Sequence, residues 1–306
     1  MFQALFTAVL LLAPTTQPTA APAGMVHVPA GTVLIGDDAT MPEERPQHAV
    51  TVGAIFVDVT EVTNDQYAAF VEATGYVTVA ERVPDPADFP GADPAALVPG
   101  SVVFTPPPAG TNPRHWRQWW SWVPGASWKH PEGPGSDLVG RGDHPVVHVA
   151  FEDAQAFAEW AGKRLPTEAE WEAAARGGLV GKRYTWGDEQ RPDGVVLANH
   201  WQGNFPIENT NDDGFLGLAP VGQFPANGFG LREMAGNAWE WTDTPWTPDH
   251  RPDAPRDSSA AVLKGGSFLC ADNYCYRYRP AARTNGARDT GSSHVSFRCV
   301  IDAPAQ

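Results

Sequence analysis

Glycine and proline punctuate this chain so densely that they limit the length of any helix or strand it can form. Thirty of its 306 residues are glycine and thirty are proline. Glycine reaches positive φ at no steric cost, whereas proline fixes φ and lacks an N–H, so both favour turns. The expectation is many turns and little regular structure, with length enough to bury a core as one large domain or two small ones. From Ala80 to Asp143 no periodicity is sustained, yet Trp116, Trp119, Trp120, Trp122 and Trp128 crowd one stretch of it. So much tryptophan argues for an ordered segment, its rings packing by default or lining a groove. A formal net charge of −15 disfavours a phosphate backbone as partner and suits a cationic protein or peptide segment, although solubility alone also accounts for it.

Residues 1–24 read as a leader. Met1 to Ala13 is apolar but too short to span a bilayer, and small residues follow, as in a secretory signal that lacks a basic start. The expected compartment is therefore periplasmic or extracellular, with the cytoplasm as alternative, and no membrane span is expected in the mature protein. Residues 25–302 read as one domain. Val26–Ile35, Val50–Val59 and Val146–Phe151 are strand-like. Thr63 with Gln66, and Thr167 with Glu170, form capping boxes that open helices ending at Gly75 and Gly177. A third helix, from about Asp153, has Ala154, Phe157, Ala158 and Ala161 as its apolar stripe.

Three constellations carry chemistry. His144 and His148 stand at i and i+4, but Pro145, Val146 and Val147 favour an extended segment, and a metal role there is the minor reading. Asn209 to Gly214 starts like a calcium loop, but Pro220 fills the position of its last carboxylate, which excludes an EF-hand and leaves an Asx-turn or a different oxygen site. Glu240 lies between Trp239 and Trp241 and requires either an arginine partner or a cation. The chain has three cysteines, and two of them, Cys270 and Cys275, share one aromatic and basic segment. Spacing leaves two readings open, a local disulfide or a soft-metal site such as Cu(I). For both sulfurs to meet, Ala271-Asp272-Asn273 must turn, and Arg277 and Arg279 would help to hold the thiols deprotonated.

These residues together resemble the formylglycine-generating enzymes, or sulfatase-modifying factors. The match runs through Val28–Gly31, Glu61–Asn64, His144–His148, Gly162–Trp171, Asn199–Gly203, Gly228–Leu231, Gly236–Trp241 and Phe297–Cys299. Most specific is Gly265-Gly-Ser-Phe-Leu-Cys270 with Tyr274-Cys-Tyr-Arg-Tyr-Arg279, which marks the copper-dependent catalytic branch. The resemblance implies an α+β, loop-rich fold with little regular secondary structure, related to C-type-lectin-like domains. It implies a monomeric oxidoreductase that converts a cysteine in a Cys-x-Pro-x-Arg motif of an unfolded sulfatase to Cα-formylglycine, using O2 and a reductant.

Residue by residue, the resemblance implies Cu(I) between Cys270 and Cys275, O2 binding near Ser267, and a pocket shaped by Tyr274 and Trp239. It implies one structural Ca2+ at Asn199, His200, Asp213 and Phe215, and another at Glu233, Gly236, Ala238 and Glu240. His200, Phe215, Gly236 and Ala238 would contribute backbone carbonyls. Glu233 stands where the animal enzymes have Asn, and His294 takes the place of an Asn near the substrate groove. Phe157, Ala174 and Pro280 replace disulfide cysteines of animal members, which leaves Cys299 as a buried free thiol. The alternatives are a non-catalytic lectin-like module and an iron-dependent sulfoxide synthase; the latter normally carries a His-x-x-x-His-x-Glu motif that this chain lacks.

Overall fold

Sheet pairing starts with a strand broken by proline. The computed structural model describes residues 20–88, 90–108, 111 and 116–304, so most of the leader lies outside the described residues. Pro29 cannot donate to a ladder, and the first expected strand splits there into β1 (Met25–Val28) and β2 (Gly31–Ile35). The second splits likewise around Gly53 into β3 (His48–Val52) and β4 (Ile55–Asp58). β2 pairs antiparallel with β3, and β1 with β4. On its other edge β4 takes β11 (Val300–Asp302), which brings the last described strand into one sheet with the first.

The helices follow their capping signals. α1 (Asn64–Thr74) has the Thr63–Gln66 box at its start and Gly75 at φ 68° at its end. α2 (Phe151–Trp160) begins two residues before Asp153, whose carboxylate accepts the Ala150 N–H at 2.8 Å. α3 (Glu168–Arg176) has the Thr167–Glu170 box and stops at Gly177. No helix among the described residues is long and apolar enough to cross a membrane.

β5 (Gly100–Phe104) and β6 (Trp120–Pro124) form a hairpin from the tryptophan-rich stretch. Trp119 and Trp128 are buried in the core, whereas Trp122 is 45% exposed. The remaining strands, β7 (Trp239–Trp246), β8 (Asp257–Lys264), β9 (Arg283–Ala287) and β10 (Val295–Ser296), build a sheet in the order β10-β7-β8-β9. One cluster around Tyr67, Phe70, Phe157, Trp241 and Phe297 joins this sheet to α1 and α2. A second, with Trp171, Ile55 and Val300, packs α3 on the first sheet. The result is an α+β, loop-rich architecture.

The strand expected over Val146–Phe151 does not form. His148 adopts a left-handed φ of 60°, which breaks the pleat, and Phe151 already belongs to α2. The His148 ring is fully buried, with Nε2 2.8 Å from Pro131 O and Nδ1 2.8 Å from Ser101 Oγ. Both nitrogens are thus engaged within the core, while His144 Nδ1 lies against Asp143 at 3.0 Å; the two histidines do not share a metal.

Burial pushes the His148 pKa from its ordinary 6.5 down to about 4, which the contact with Pro131 O only partly opposes. A depressed histidine contributes stability that is complete above its unfolded pKa and is lost as pH falls through the folded one. We therefore expect the stability advantage of the native chain over a His148→Gln variant to shrink between pH 6.5 and 4. The expected slope is about 1.4 kcal/mol per pH unit in urea-unfolding curves. A difference that stays constant across that interval would refute the assignment.

Candidate active site

Two glycines at the end of β8 set up the cysteine segment. Gly265 and Gly266 have φ of 92° and 77°, and a Cβ on Gly266 would lie 2.7 Å from Arg277 O. Only glycine permits that approach, which folds residues 277–278 back over the start of the segment. The turn expected at Ala271-Asp272-Asn273 forms around one acceptor: the N–H groups of Tyr274, Cys275 and Tyr276 all donate to Ala271 O, at 2.9–3.1 Å. Cys275 is thereby carried back to Cys270, and the two sulfurs lie 2.7 Å apart as free thiols.

The two thiols are not equivalent. Burial pushes the Cys270 thiol well above its ordinary value. The Cys275 thiol is lowered by the hydrogen bond from Cys270 and, opposing its own burial, by the nearby Arg277 guanidinium. These opposite shifts favour Cys270 as donor and Cys275 as acceptor in the contact between them. Arg277 Nη1 lies 4.0 Å from Cys275 Sγ, and its Nε donates to Glu43 at 3.1 Å. Arg279 does not join them; its guanidinium turns to the buried Glu44 carboxylate, at 2.5 and 2.9 Å. Glu43 lies 234 positions from Arg277, and no local motif announces it.

The sulfurs open into a cavity of about 260 Å³, whose other walls include Trp120, Phe205, Ser267, Tyr274, Trp239 and His294. Tyr274 is 47% exposed and stacks on Phe205, ring centroids 4.4 Å apart. Trp239 is buried, and its N–H donates to His294 O at 2.9 Å. Ser267 Oγ lies 3.0 Å from His294 Nδ1 and accepts the Leu269 N–H at 3.3 Å. Trp120, one of the tryptophans expected to pack or to line a groove, reaches the cavity from β6, and sequence reasoning missed Phe205, which reaches it from the loop after Trp201. A larger cleft of about 450 Å³, lined by Val79, Arg82, Trp122 and Asp289 among others, has no sulfur in its walls.

The oxygen-rich residues gather in two places. Asp213 accepts N–H groups from His200 (3.1 Å), Phe215 (2.9 Å) and Gln202 (2.8 Å). Asn199 donates through Nδ2 to Gly217 O and Asn237 Oδ1, while its Oδ1 is buried without a partner. Asx-turns do occur here, at Asn209 and Asp213. In the second place Glu233 accepts the Gly222 and Phe224 N–H groups. Glu240 is paired bidentately with Arg298, at 2.7 and 2.8 Å, and takes the Trp171 indole N–H at 2.7 Å, so it has an arginine partner. A Cβ on Gly236 would sit 2.0 Å from Asn199 O, and this contact of two backbones locks the two places together. Among the described residues, no three His, Cys, Asp or Glu side chains converge where an ion could sit.

Comparison with known proteins places these observations in a family. Residues 12–303 match the family described as the sulfatase-modifying factor enzyme 1-like domain. The formylglycine-generating enzyme of Mycobacterium tuberculosis is 52% identical over 292 residues, covering 91% of this chain and 97% of that protein. The inactive C-alpha-formylglycine-generating enzyme 2 of Mus musculus is 39% identical over 284 residues, covering 91% and 86%. Among solved structures, PvdO from Pseudomonas aeruginosa superposes with a TM-score of 0.63 at 23% identity, covering 94% of this chain and all of that one. That last likeness bears on the fold alone.

Thiol chemistry separates the three cysteines. Cys299 is fully buried, and burial pushes its thiol well above the ordinary range. Iodoacetamide is expected to alkylate Cys275 first in the folded protein and Cys299 only after unfolding. Peptide mass mapping over time reads the order, and equal rates at Cys275 and Cys299 would contradict it.

Proposed function

The chain belongs to the sulfatase-modifying factor family, and from that premise we propose that it is an oxidase converting a sulfatase cysteine to Cα-formylglycine. The finer reading is that the substrate is an unfolded sulfatase segment carrying Cys-x-Pro-x-Arg, that O2 is the oxidant, and that Cu(I) is the resident metal. One observation carries it: Cys270 and Cys275 are free, 2.7 Å apart, and line an aromatic-walled cavity. Paired sulfur donors, one of them biased to thiolate, fit a soft monovalent cation. Cys270 and Cys275 would hold it, and when bound it supplies the one-electron chemistry toward O2 that these side chains lack.

The chain's own groups do the rest. With Cys270 as donor to Cys275 Sγ, as the opposite shifts of the two thiols favour, the proton between them must leave before both sulfurs can act as anionic ligands. Arg277, oriented by Glu43, keeps positive charge beside Cys275 as that proton leaves. Trp239, Trp120 and Phe205 shield the sulfurs from water. The exposed edge of Tyr274 marks the side from which a polypeptide enters. Overall, the substrate CH2–SH group, one O2, two electrons and two protons give an aldehyde, hydrogen sulfide and one water. A thiol reductant supplies the electrons. The net charge of −15 favours capture of the motif's arginine.

Two structural calcium ions belong to the same reading. The orphaned Asn199 Oδ1, with Asp213 and the carbonyls of His200 and Phe215, supports the first. For the second, Glu233 and Glu240 lie with Glu61 around the single guanidinium of Arg298. Burial, and then the Glu233 charge, push Glu61 well above the usual carboxylate range, and a divalent cation held by Glu233, Gly236, Ala238 and Glu240 would offset that surplus of negative charge.

The decisive experiment incubates the full chain, Cu(I) and a thiol reductant with a Cys-x-Pro-x-Arg peptide in air. We expect the cysteine to lose about 18 Da, sulfur and two hydrogens being exchanged for one oxygen. Cys275→Ala should lose at least about a hundredfold in rate. An unchanged peptide would sink the reading in favour of a non-catalytic relative, and full activity in Cys275→Ala would sink the two-sulfur site.

A further inference from the structure

Ser267 is fully buried at the cavity wall, and its single hydrogen has to go somewhere. A hydroxyl offers one hydrogen and two lone pairs. The Leu269 N–H takes one lone pair at 3.3 Å, and the remaining contact is His294 Nδ1 at 3.0 Å. A neutral imidazole presents one N–H and one bare nitrogen, so the tautomer decides which group donates. If Nδ1 carried the hydrogen, Ser267 would accept twice. Its own O–H would then have no acceptor among the described residues, since the Leu269 N–H and His294 Nδ1 are the groups in hydrogen-bond contact with Oγ, and a buried donor without an acceptor is costly. With the hydrogen on Nε2 instead, Ser267 donates to Nδ1, and one oxygen lone pair remains free for the cavity.

Other features fix the ring for this task. The Trp120 ring lies 4.8 Å away, centroid to centroid. The His294 carbonyl is held by the Trp239 N–H at 2.9 Å, one residue before β10 docks in parallel on β7. Burial, with the charge of His148 adding to it, pushes the His294 pKa down to about 3. So weak a base does not suit proton abstraction near neutral pH, where a general base needs a pKa close to the working value. The ring is a fixed acceptor.

We propose that His294 is the positioning residue of the Ser267 hydroxyl, holding its hydrogen on Nδ1 so that Ser267 presents an oxygen lone pair to the cavity that Cys270 and Cys275 share. The hydrogen bond stands independently of the reaction; its consequence for rate rests on the oxidase reading above.

The test has two arms on the full chain. In the first, 15N-histidine NMR reads the tautomer, with the His294 signals assigned by their loss in His294→Phe. We expect the Nε2–H form and a shift of the Nδ1 signal in Ser267→Ala. In the second, peptide conversion by His294→Phe, which keeps a ring against Trp120 but removes Nδ1, is expected to fall about tenfold or more in kcat, with KM within about twofold. His294→Asn puts its side-chain oxygen close to where Nδ1 sits and should recover most of that loss. In a Ser267→Ala background, His294→Phe should add less than about a twofold effect, as expected of residues acting as one unit. The Nδ1–H tautomer, or an Nδ1 signal unmoved by Ser267→Ala, overturns the inference whether or not any peptide is converted. Wild-type kcat in His294→Phe, or equal losses in the Phe and Asn variants, overturns the positioning role. Failure of the native chain to convert the peptide counts against the oxidase reading alone, and the spectroscopic arm still decides the hydrogen bond.

Discussion

Arg298 holds together segments that no sheet ladder connects. Its guanidinium is fully buried, pairs bidentately with Glu240, and donates further to the carbonyls of Asp58, Val59, Arg232 and Glu233. A buried loop must satisfy its carbonyls without a regular partner strand, and a guanidinium carries five N–H groups in one rigid fork. The device recurs. Arg283 joins Glu168 to the carbonyls of Glu43 and Thr247, and Arg279 joins Glu44 to Tyr276 O. Such ion pairs add little net stability compared with apolar packing, but breaking one leaves an uncompensated charge in the core. They specify which loop lies beside which.

This dependence explains what could be read from the residues alone. The ends of α1 and α3 were legible because Thr63, Thr167, Gly75 and Gly177 are local signals whose meaning needs no tertiary context. The cysteine turn was legible too, from its turn-forming residues. The breaks at Pro29 and Gly53 were only half legible: Pro29 stood out as punctuation but Gly53 did not, and β1 and β2 differ in partner, which depends on segments farther along the chain. His148 misled because a β-branched neighbourhood suggests a strand, while its φ of 60° is imposed by a close packing against Gly291, where a Cβ would meet His148 C at 2.5 Å. The sheet of β7 to β10 carries Pro245 and two residues of β10, too little for a periodic signal.

At the candidate site the same division holds. The sulfur pair lies within one short segment and could be expected from it. Trp120, Phe205 and Glu43 reach it from three other parts of the chain, by packing and charge pairing that no motif encodes. The resemblance to a known family supplied residue roles that the isolated spacing could not, such as Ser267 and the oxygen donors around Asn199. The geometry adds what a family pattern lacks: which of two neighbouring arginines faces sulfur, and which nitrogen of His294 faces Ser267.

β11 lies against β4, which in turn lies against β1, and Arg298 stands just before it. The pieces that seal the centre of the molecule therefore leave the ribosome more than two hundred residues after their partners. Because such distant pairings form only after the intervening chain is in place, the nascent polypeptide cannot complete its interior until Arg298 and β11 have been made. Until β11 arrives, one edge of β4 stays unpaired, next to the Asp58 and Val59 carbonyls that wait for Arg298.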